Sequence, residues 1–212
     1  MKLTMIDLKM GNLQSVLEAF KRVGAEIKII TQPQDIEQAN VVILPGVGAF
    51  GDGMATLRQK GLVEPVRRHA IEQKKPLLGI CIGMQLLADE GEEHGLHQGL
   101  GLIPGRVIRL DPPEPRYRVP NMGWCDVTVV KKDSILFAGL PEVEAFYFAH
   151  SYHFHCSNPA DVAATFEYGD CLTAVVERDN IFGVQFHPEK SQDAGLNVIE
   201  MFLKHMQQKG WA

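Results

Sequence analysis

The sequence predicts one α/β domain with a mixed, mostly parallel sheet that is flanked by helices and gains antiparallel strands in its C-terminal half. Two observations lead to this prediction. In the first 90 residues, apolar runs alternate with helical patterns, as they do in right-handed βαβ units. In the second half, short apolar stretches follow one another through short connections, which favours antiparallel pairing. No linker, repeat or low-complexity segment divides the chain, so we expect residues 1–212 to form a single domain.

The N-terminal half supplies the predicted parallel strands and the helices between them. Asn12 is a residue type that caps a helix, and Gly24 is a type that ends one. Strands are predicted over residues 3–7, 27–30, 41–44 and 77–80, and Pro45-Gly46 closes the third of them. Helices are predicted over residues 13–23, 57–73 and 82–88, the second with a break near Gly61 and Pro65.

The C-terminal half supplies the predicted antiparallel strands and a closing helix. The strands cover residues 106–110, 127–130, 146–150, 162–166, 172–176 and 181–185. The helix is indicated by four apolar residues at helical spacing, Leu196, Ile199, Leu203 and Met206. The Pro-rich segment 111–115 is too short for a linker, so we expect a surface loop there.

Composition and charge exclude several classes of protein. With 45% hydrophobic and 22% charged residues, the chain is neither disordered nor fibrous. Its net charge of −5 argues against nucleic acid or an anionic membrane as a partner, and no apolar run approaches the ~20 residues that span a bilayer. The N-terminal residues meet Asp7 and Lys9 too early for a signal peptide, and the four cysteines indicate free thiols. We therefore expect a cytoplasmic protein.

The segment Gly79-Ile80-Cys81-Ile82-Gly83 has the pattern of a nucleophile elbow, in which a nucleophile stands between two glycines at a turn from strand to helix. The glycines leave room for close approach of the chain. Backbone N–H groups and the positive dipole end of the following helix stabilise a thiolate at that point. The alternative is a structural cysteine buried after a strand, because free cysteine is often buried.

The segment Phe186-His187-Pro188-Glu189 supplies the groups that a cysteine nucleophile needs. A thiol requires a base to take its proton and a third group to orient that base. His187 follows a predicted strand, where it can face the C-terminal edge of the sheet, and Glu189 lies two residues further on. A solvated histidine in a proline turn is the alternative. The presence of both the elbow cysteine and this His–Glu segment favours a catalytic set of Cys81, His187 and Glu189.

Two other segments have several possible uses. The glycine-rich loop 45–51 lacks a dinucleotide fingerprint and a Walker lysine, so it forms either a plain tight turn or part of an oxyanion hole beside Ile82. His150, His153, His155 and Cys156 invite a metal interpretation. However, the alternation of a strand separates His150 from the next two histidines, and no further cysteine or acidic cluster completes a zinc set. We therefore expect neither a metal nor a cofactor.

Together these motifs resemble those of class I (triad) glutamine amidotransferases. The resemblance spans residues 5–203 and rests on the elbow 79–85, the loop 45–50 and the segment 186–191. Three further segments are similar to the glutaminase subunits of imidazole glycerol phosphate synthases: Met10-Gly11-Asn12-Leu13, Met122-Gly123-Trp124 and Tyr147-Phe148-Ala149-His150-Ser151-Tyr152. The resemblance implies a flavodoxin-like amidotransferase fold.

The resemblance also implies a reaction and a partner. Cys81 would attack the side-chain amide of L-glutamine, His187 would pass the proton to the leaving ammonia, and Glu189 would orient His187. Ammonia would travel through a channel to a (β/α)₈-barrel cyclase subunit of a heterodimer in histidine biosynthesis. Matching positions imply oxyanion and glutamine contacts at Gly46, Val47, Gly48, Ile82, Gln85, Glu93, Ser151 and Tyr152. Other matching positions imply a partner interface at Asn12, Asn121, Trp124, Tyr147 and Lys190.

Two departures from the family pattern leave the ammonia acceptor open. Leu8-Lys9 stands where Tyr-Gly is usual after Asp7, and Asn121 and Cys125 stand where His and Asn are usual. Both departures lie in segments that the resemblance places near the partner. Three alternatives therefore stay open: a glutaminase that serves amidination of a cell-surface sugar, a stand-alone γ-glutamyl hydrolase, and a catalytically idle binding subunit.

Overall fold

Residues 2–211 are described by a computed structural model and contain thirteen strands and six helices. The strands are β1 (Lys2–Ile6), β2 (Glu26–Ile30), β3 (Val42–Gly46), β4 (Leu77–Cys81), β5 (Glu90–Gly91), β6 (His97–Gln98), β7 (Gly105–Arg109), β8 (Asn121–Val129), β9 (Val143–His150), β10 (Tyr152–Cys156), β11 (Val162–Glu167), β12 (Cys171–Arg178) and β13 (Ile181–Val184). The helices are α1 (Leu13–Arg22), α2 (Pro33–Glu37), α3 (Phe50–Gln59), α4 (Val63–Arg67), α5 (Ile82–Gln85) and α6 (Gln192–Gln208). A π-helical turn (Arg68–Glu72) continues α4, and single 3₁₀ turns follow β10 (Pro159–Asp161) and β13 (Pro188–Lys190).

Nine of the strands form one mixed sheet in the order β2-β1-β3-β4-β13-β12-β11-β8-β9. The strands from β2 to β13 in this order are parallel neighbours, and those from β13 to β9 are antiparallel neighbours. The predicted division between parallel N-terminal strands and antiparallel C-terminal strands is confirmed except at β13, which was predicted as antiparallel but pairs parallel with β4 on one side and antiparallel with β12 on the other. A second, four-stranded sheet of order β10-β7-β5-β6 lies beside it and was not predicted.

The central parallel strands β3 and β4 are buried on both faces because their apolar side chains alternate between two cores. Along β3, Ile43 contributes to the core that also contains residues of α1 and α6, whereas Val42 and Leu44 contribute to the core that contains residues of α2, α3 and α4. In β4, Ile80 contributes to the first of these cores and Leu77 to the second. A strand buried on both faces has a continuous apolar sequence. For this reason the sequence alone locates these strands.

Several elements differ from prediction: β8 begins at Asn121 instead of residue 127, β10 was not predicted, and α5 ends at Gln85 instead of residue 88. Other differences occur at prolines and glycines. β3 continues through Pro45 to Gly46. The strand tolerates the proline because β1 pairs with β3 only as far as Ile43, so β1 has no residue opposite Pro45 that would need its missing N–H. α3 begins at Phe50, inside the predicted loop. Gly61, with φ of +65°, separates α3 from α4 as predicted. Pro65 does not break α4, because it lies in the first turn, where its missing N–H has no helical partner to lose.

Three further expectations concern the cysteines, the Pro-rich segment and membrane-spanning helices. All four cysteines are free. Segment 111–115 is largely exposed and belongs to neither sheet, as expected of a loop. Across residues 2–211, no helix combines the length and apolarity that a membrane crossing requires.

The turn between β4 and α5 leaves no space for a side chain at Gly83, where an added Cβ would lie 1.7 Å from the carbonyl oxygen of Leu44. Backbone atoms in a packed central strand cannot move aside as a flexible side chain can. We expect Gly83→Ala to lower the free energy of unfolding by about 3 kcal/mol or more, measured by denaturant titration. Gly139→Asn is the control, because Gly139 has φ of +78° in open space and asparagine tolerates that conformation. Equal losses in the two variants would contradict this explanation.

Candidate active site

Cys81 lies at the end of β4 in a strained backbone conformation, with φ of 54° and ψ of −110°. Such a conformation costs a non-glycine residue about 1–3 kcal/mol and is concentrated at functional sites. The glycines on either side are required by the tight turn, since an added Cβ at Gly79 would lie 2.5 Å from the carbonyl oxygen of Gly83. The geometry is that of the predicted elbow.

The register of three parallel strands brings the predicted segments to one edge of the sheet. β4 lies between β3 and β13, with Gly46 paired to Cys81 on one side and Val184 paired to Ile80 on the other. The chain therefore leaves β3 and β13 directly beside the cysteine. Ligands bind at the carboxyl ends of strands in open α/β sheets. The site thus follows from the topology.

His187 connects Cys81 to Glu189. The Nδ1 atom of His187 lies 2.7 Å from Oε1 of Glu189, and the imidazole also hydrogen-bonds the Cys81 side chain. The His187 and Glu189 side chains are almost completely buried. Burial alone would lower the pKa of His187, but its hydrogen bonds to Cys81 and Glu189 and the charges of those groups raise the pKa well above the ordinary 6.5. The arrangement therefore favours an imidazolium at neutral pH.

The backbone around His187 is held by β9. The His187 N–H donates to the carbonyl of Tyr147 at 2.9 Å. The hydroxyl of Ser191 donates to the His187 carbonyl at 2.7 Å and accepts from the Tyr147 N–H at 3.0 Å. Next to the histidine, Phe186 stacks on Phe146 with ring centroids 4.0 Å apart. These contacts fix the direction in which the imidazole points.

Asn12 does not cap α1 through its side chain, which corrects the prediction made from its residue type. It occupies the N-cap position with φ of 61°, but its side-chain amide donates to Oε1 of Glu189 instead of to the helix. The same carboxylate oxygen therefore accepts from both Asn12 and His187, and Oε2 of Glu189 has no protein partner. Because Asn12 and Glu189 are 177 positions apart, no local pattern indicates this contact.

A cavity of about 470 Å³ opens beside Cys81. Seven of the eight predicted substrate-binding residues line it together with Cys81: Val47, Gly48, Ile82, Gln85, Glu93, Ser151 and Tyr152. Gly46 does not line the cavity and contacts Ile82 at the end of β3, where an added Cβ would lie 2.5 Å from the Ile82 side chain. Five lining residues were not predicted: Ala49, Pro120, Met122, Ala149 and His150.

The polar side chains of the cavity have defined orientations. One carboxylate oxygen of Glu93 accepts the backbone N–H of Phe50 at 2.8 Å. The Nε2 atom of Gln85 donates both to the carbonyl of Tyr152 and to Oε1 of Gln185, at 2.9 Å each. With both N–H bonds of Gln85 used, its side-chain oxygen is the group it offers to a ligand. The cavity therefore presents acceptors to a positively charged group.

Three of the five predicted interface residues lie on an exposed face next to His187. Trp124 is 49% exposed and packs edge-on against Tyr147 with ring centroids 6.1 Å apart. The Nζ atom of Lys190 lies 5.7 Å from the centre of the Tyr147 ring, within cation–π range. We call Met122, Trp124, Tyr147 and Lys190 the aromatic face. The prediction for Asn121 is corrected: it is only 2% exposed, because its amide pairs with His150 inside the protein.

The histidines considered for metal binding are distributed over two strands. His150 ends β9, whereas His153 and His155 lie on β10. Among residues 2–211, no group of three or more His, Cys, Asp or Glu side chains is placed to hold a metal ion. Burial lowers the pKa of both His150 and His153 to about 4. Both imidazoles are therefore neutral at physiological pH.

The described fold and site match one family. The model of the glutamine amidotransferase class-I family matches residues 4–206. The chain therefore belongs to the class-I glutamine amidotransferases, which are enzymes. It is 44% identical over 205 residues to imidazole glycerol phosphate synthase subunit HisH of Sulfurimonas denitrificans, a match that covers 96% of this chain and 98% of the relative. The HisH subunit of Syntrophotalea carbinolica is 45% identical over 204 residues, which cover 94% of this chain and 98% of the relative.

Solved structures share the fold at lower identity. The crystal structure of a glutamine amidotransferase superposes with a TM-score of 0.74 at 23% identity and covers 98% of this chain and 99% of that chain. The structure of PurLQS from Thermotoga maritima superposes with a TM-score of 0.76 at 18% identity, over 97% of this chain and 98% of that chain. At these identities the similarity establishes the fold class alone.

Three buried histidines predict that the protein loses stability in mild acid. Burial lowers the pKa of His69, His150 and His153 from 6.5 to about 4. Between these values the unfolded chain binds protons that the folded chain does not, so the free energy of unfolding decreases as pH falls. Each histidine contributes about 3 kcal/mol of this loss by pH 4.

Denaturant titrations at pH 7.5, 6.5, 5.5 and 4.5 measure the effect. The loss should begin near pH 6.5, and replacing His69 by Gln should make the slope below that pH smaller. A free energy of unfolding that stays constant from pH 6.5 to 4.5 would refute the assignment of buried neutral histidines.

Proposed function

We propose that this chain is the glutaminase subunit of an imidazole glycerol phosphate synthase, which hydrolyses L-glutamine to glutamate and ammonia and delivers the ammonia to a (β/α)₈-barrel cyclase subunit in histidine biosynthesis. The single observation that carries the proposal is the strained Cys81, hydrogen-bonded to a His187–Glu189 pair and open to a cavity of about 470 Å³. The names of the two HisH relatives support the choice of acceptor.

The proposed reaction uses the three side chains in sequence. The Cys81 thiolate attacks the side-chain amide carbon of glutamine, and the His187 imidazolium gives its proton to the nitrogen, which leaves as ammonia. A thioester between Cys81 and the γ-carbonyl of glutamate remains. His187, now neutral, takes a proton from water, which attacks the thioester and releases glutamate. Glu189 accepts from Nδ1 of His187 and so keeps the other ring nitrogen directed at Cys81.

Substrate binding follows from the cavity. The α-ammonium group of glutamine fits the carboxylate of Glu93 and the side-chain oxygen of Gln85, which are acceptors that line the cavity. The oxyanion of the tetrahedral intermediate fits the N–H of Ile82, the residue after the nucleophile, together with an N–H of the loop at Val47 and Gly48. Gly48 has φ of 103°, so this loop passes through a conformation that only glycine adopts easily.

The aromatic face is the proposed contact with the cyclase subunit. Tryptophan and tyrosine side chains are typical anchors of a protein interface. Tyr147 belongs to this face, and its carbonyl accepts the N–H of His187. Ammonia made without an acceptor wastes glutamine, so we propose that docking and acceptor binding bias the loop at Val47 and Gly48 toward the form that donates to the oxyanion.

Cys81→Ala is expected to reduce glutamine hydrolysis by about 10⁴-fold or more, because losing one member of such a set removes most of the acceleration. The measurement is glutamate release by the chain with its cyclase partner. Cys125→Ala is the matched control, since burial raises the pKa of that thiol and it does not line the cavity. A glutamine-like electrophile should label Cys81 and spare Cys125 in peptide mapping. Hydrolysis by the Cys81 variant would refute the proposed nucleophile.

Glutamine turnover is expected to be low in the isolated chain, higher in the complex with a cyclase barrel, and highest when the complex also holds an acceptor ligand. Trp124→Ala should remove this stimulation and leave the labelling of Cys81 by a small electrophile intact. Full activity of the isolated chain would instead favour a stand-alone hydrolase. Stimulation by a partner of sugar amidination, but not by the cyclase, would contradict the proposed acceptor.

A further inference from the structure

Gln185 is a fully buried residue that contacts the sulfur of Cys81. It follows the last residue of β13, is 0% exposed, and places its Nε2 atom 3.8 Å from Sγ of Cys81, which is within hydrogen-bonding distance for sulfur. Its backbone is fixed in turn, because its N–H donates to the carbonyl of Ala174 at 2.8 Å. The mechanism described above assigns no role to this residue.

The direction in which the Gln185 amide points is set by a chain of hydrogen bonds that begins at a backbone carbonyl. The carbonyl of Tyr152 can only accept, so Gln85 must present its NH₂ group there. The same NH₂ group donates to Oε1 of Gln185. With its oxygen occupied by Gln85, Gln185 has its own NH₂ group directed at Cys81. A flipped Gln185 amide would place two donors against each other at Gln85 and a carbonyl oxygen against the sulfur.

We propose that Gln185 stabilises the thiolate of Cys81 by donating an N–H to the sulfur, and that Gln85 is the positioning residue that keeps this N–H pointed at it. The proposal rests on the proposed function, in which Cys81 is the nucleophile. A buried anion without a donor is costly, and Gln185 supplies that donor from the protein interior while His187 pairs with the sulfur from another direction. Because Gln85 also lines the cavity, the amide chain connects the substrate-binding wall to the nucleophile.

The test measures how fast iodoacetamide alkylates Cys81 as a function of pH, with the Cys81 peptide quantified by mass spectrometry. Iodoacetamide needs no glutamine site, so the readout is independent of substrate binding. Gln185→Met keeps the length of the side chain and removes the donor. We expect its alkylation midpoint to rise by about one pH unit and its rate at pH 7 to fall about tenfold, as expected when a weak hydrogen bond to a charged group is lost.

Two further variants separate this role from a structural one. Gln185→Leu also removes the donor and adds no polar group, so we expect an upward shift of the midpoint similar to that of Gln185→Met. Gln85→Met frees the Gln185 amide to rotate and should give a smaller upward shift. Asn180→Leu is the control, since that amide also donates to two backbone carbonyls, of Ala70 and Lys75, but does not line the cavity beside Cys81. It should lower Tm and leave the Cys81 profile unchanged.

A lower Tm of Gln185→Met with a wild-type alkylation profile would overturn the inference, because a structural role alone predicts that result. If Gln185→Met does not fold, the Gln185→Leu profile decides in the same way. The proposed function has a separate failure: glutamine hydrolysis that survives Cys81→Ala. If Cys81→Ala is inactive but the Gln185 variants show the wild-type alkylation profile, Cys81 remains the proposed nucleophile and only the role of Gln185 is refuted.

Discussion

The turn at Cys81 is the constraint on which the rest of the site depends. A chain that leaves a central strand with φ of 54° and enters a helix at the next residue has no room for side chains at Gly79 and Gly83. In return, the sulfur is held at the edge of the sheet, between the ends of β3 and β13. The strain is sustained because both faces of β4 are buried in the two cores, which over-determine its position.

The features that could be predicted from the sequence are those whose physical cause is local. Buried parallel strands are continuous apolar runs, so β1, β3 and β4 were located from the order of apolar residues along the sequence. The elbow around Cys81 is a five-residue pattern, and His187 and Glu189 are two positions apart on one turn. The cavity residues followed from the resemblance to a known family and not from any local pattern. The same holds for Trp124 and Tyr147 on the aromatic face.

The features that were missed depend on pairs of residues far apart in the chain. Gln85 and Gln185 are 100 positions apart, and neither has a local pattern that distinguishes it from a solvated amide. β5 and β6 have two residues each, too few to show alternation, so the second sheet was not anticipated. Asn121 is buried because it stands opposite His150 in the pairing of β8 with β9. Its departure from the family pattern therefore lies in the interior against His150, which lines the cavity, and not on the exposed face.

The supports of the three proposed catalytic side chains are divided between interior and surface. Cys81 is held by the central strand β4 and contacted by Gln185, both deep in the protein. His187, in contrast, gives its N–H to the carbonyl of Tyr147, whose side chain is part of the aromatic face. Glu189 accepts from Asn12, which is only half-buried at the start of α1. In the proposed complex, a partner docked on this face acts on the contacts that hold His187 and Glu189, while Cys81 stays fixed. The division permits control of the reaction without release of the strain at Cys81.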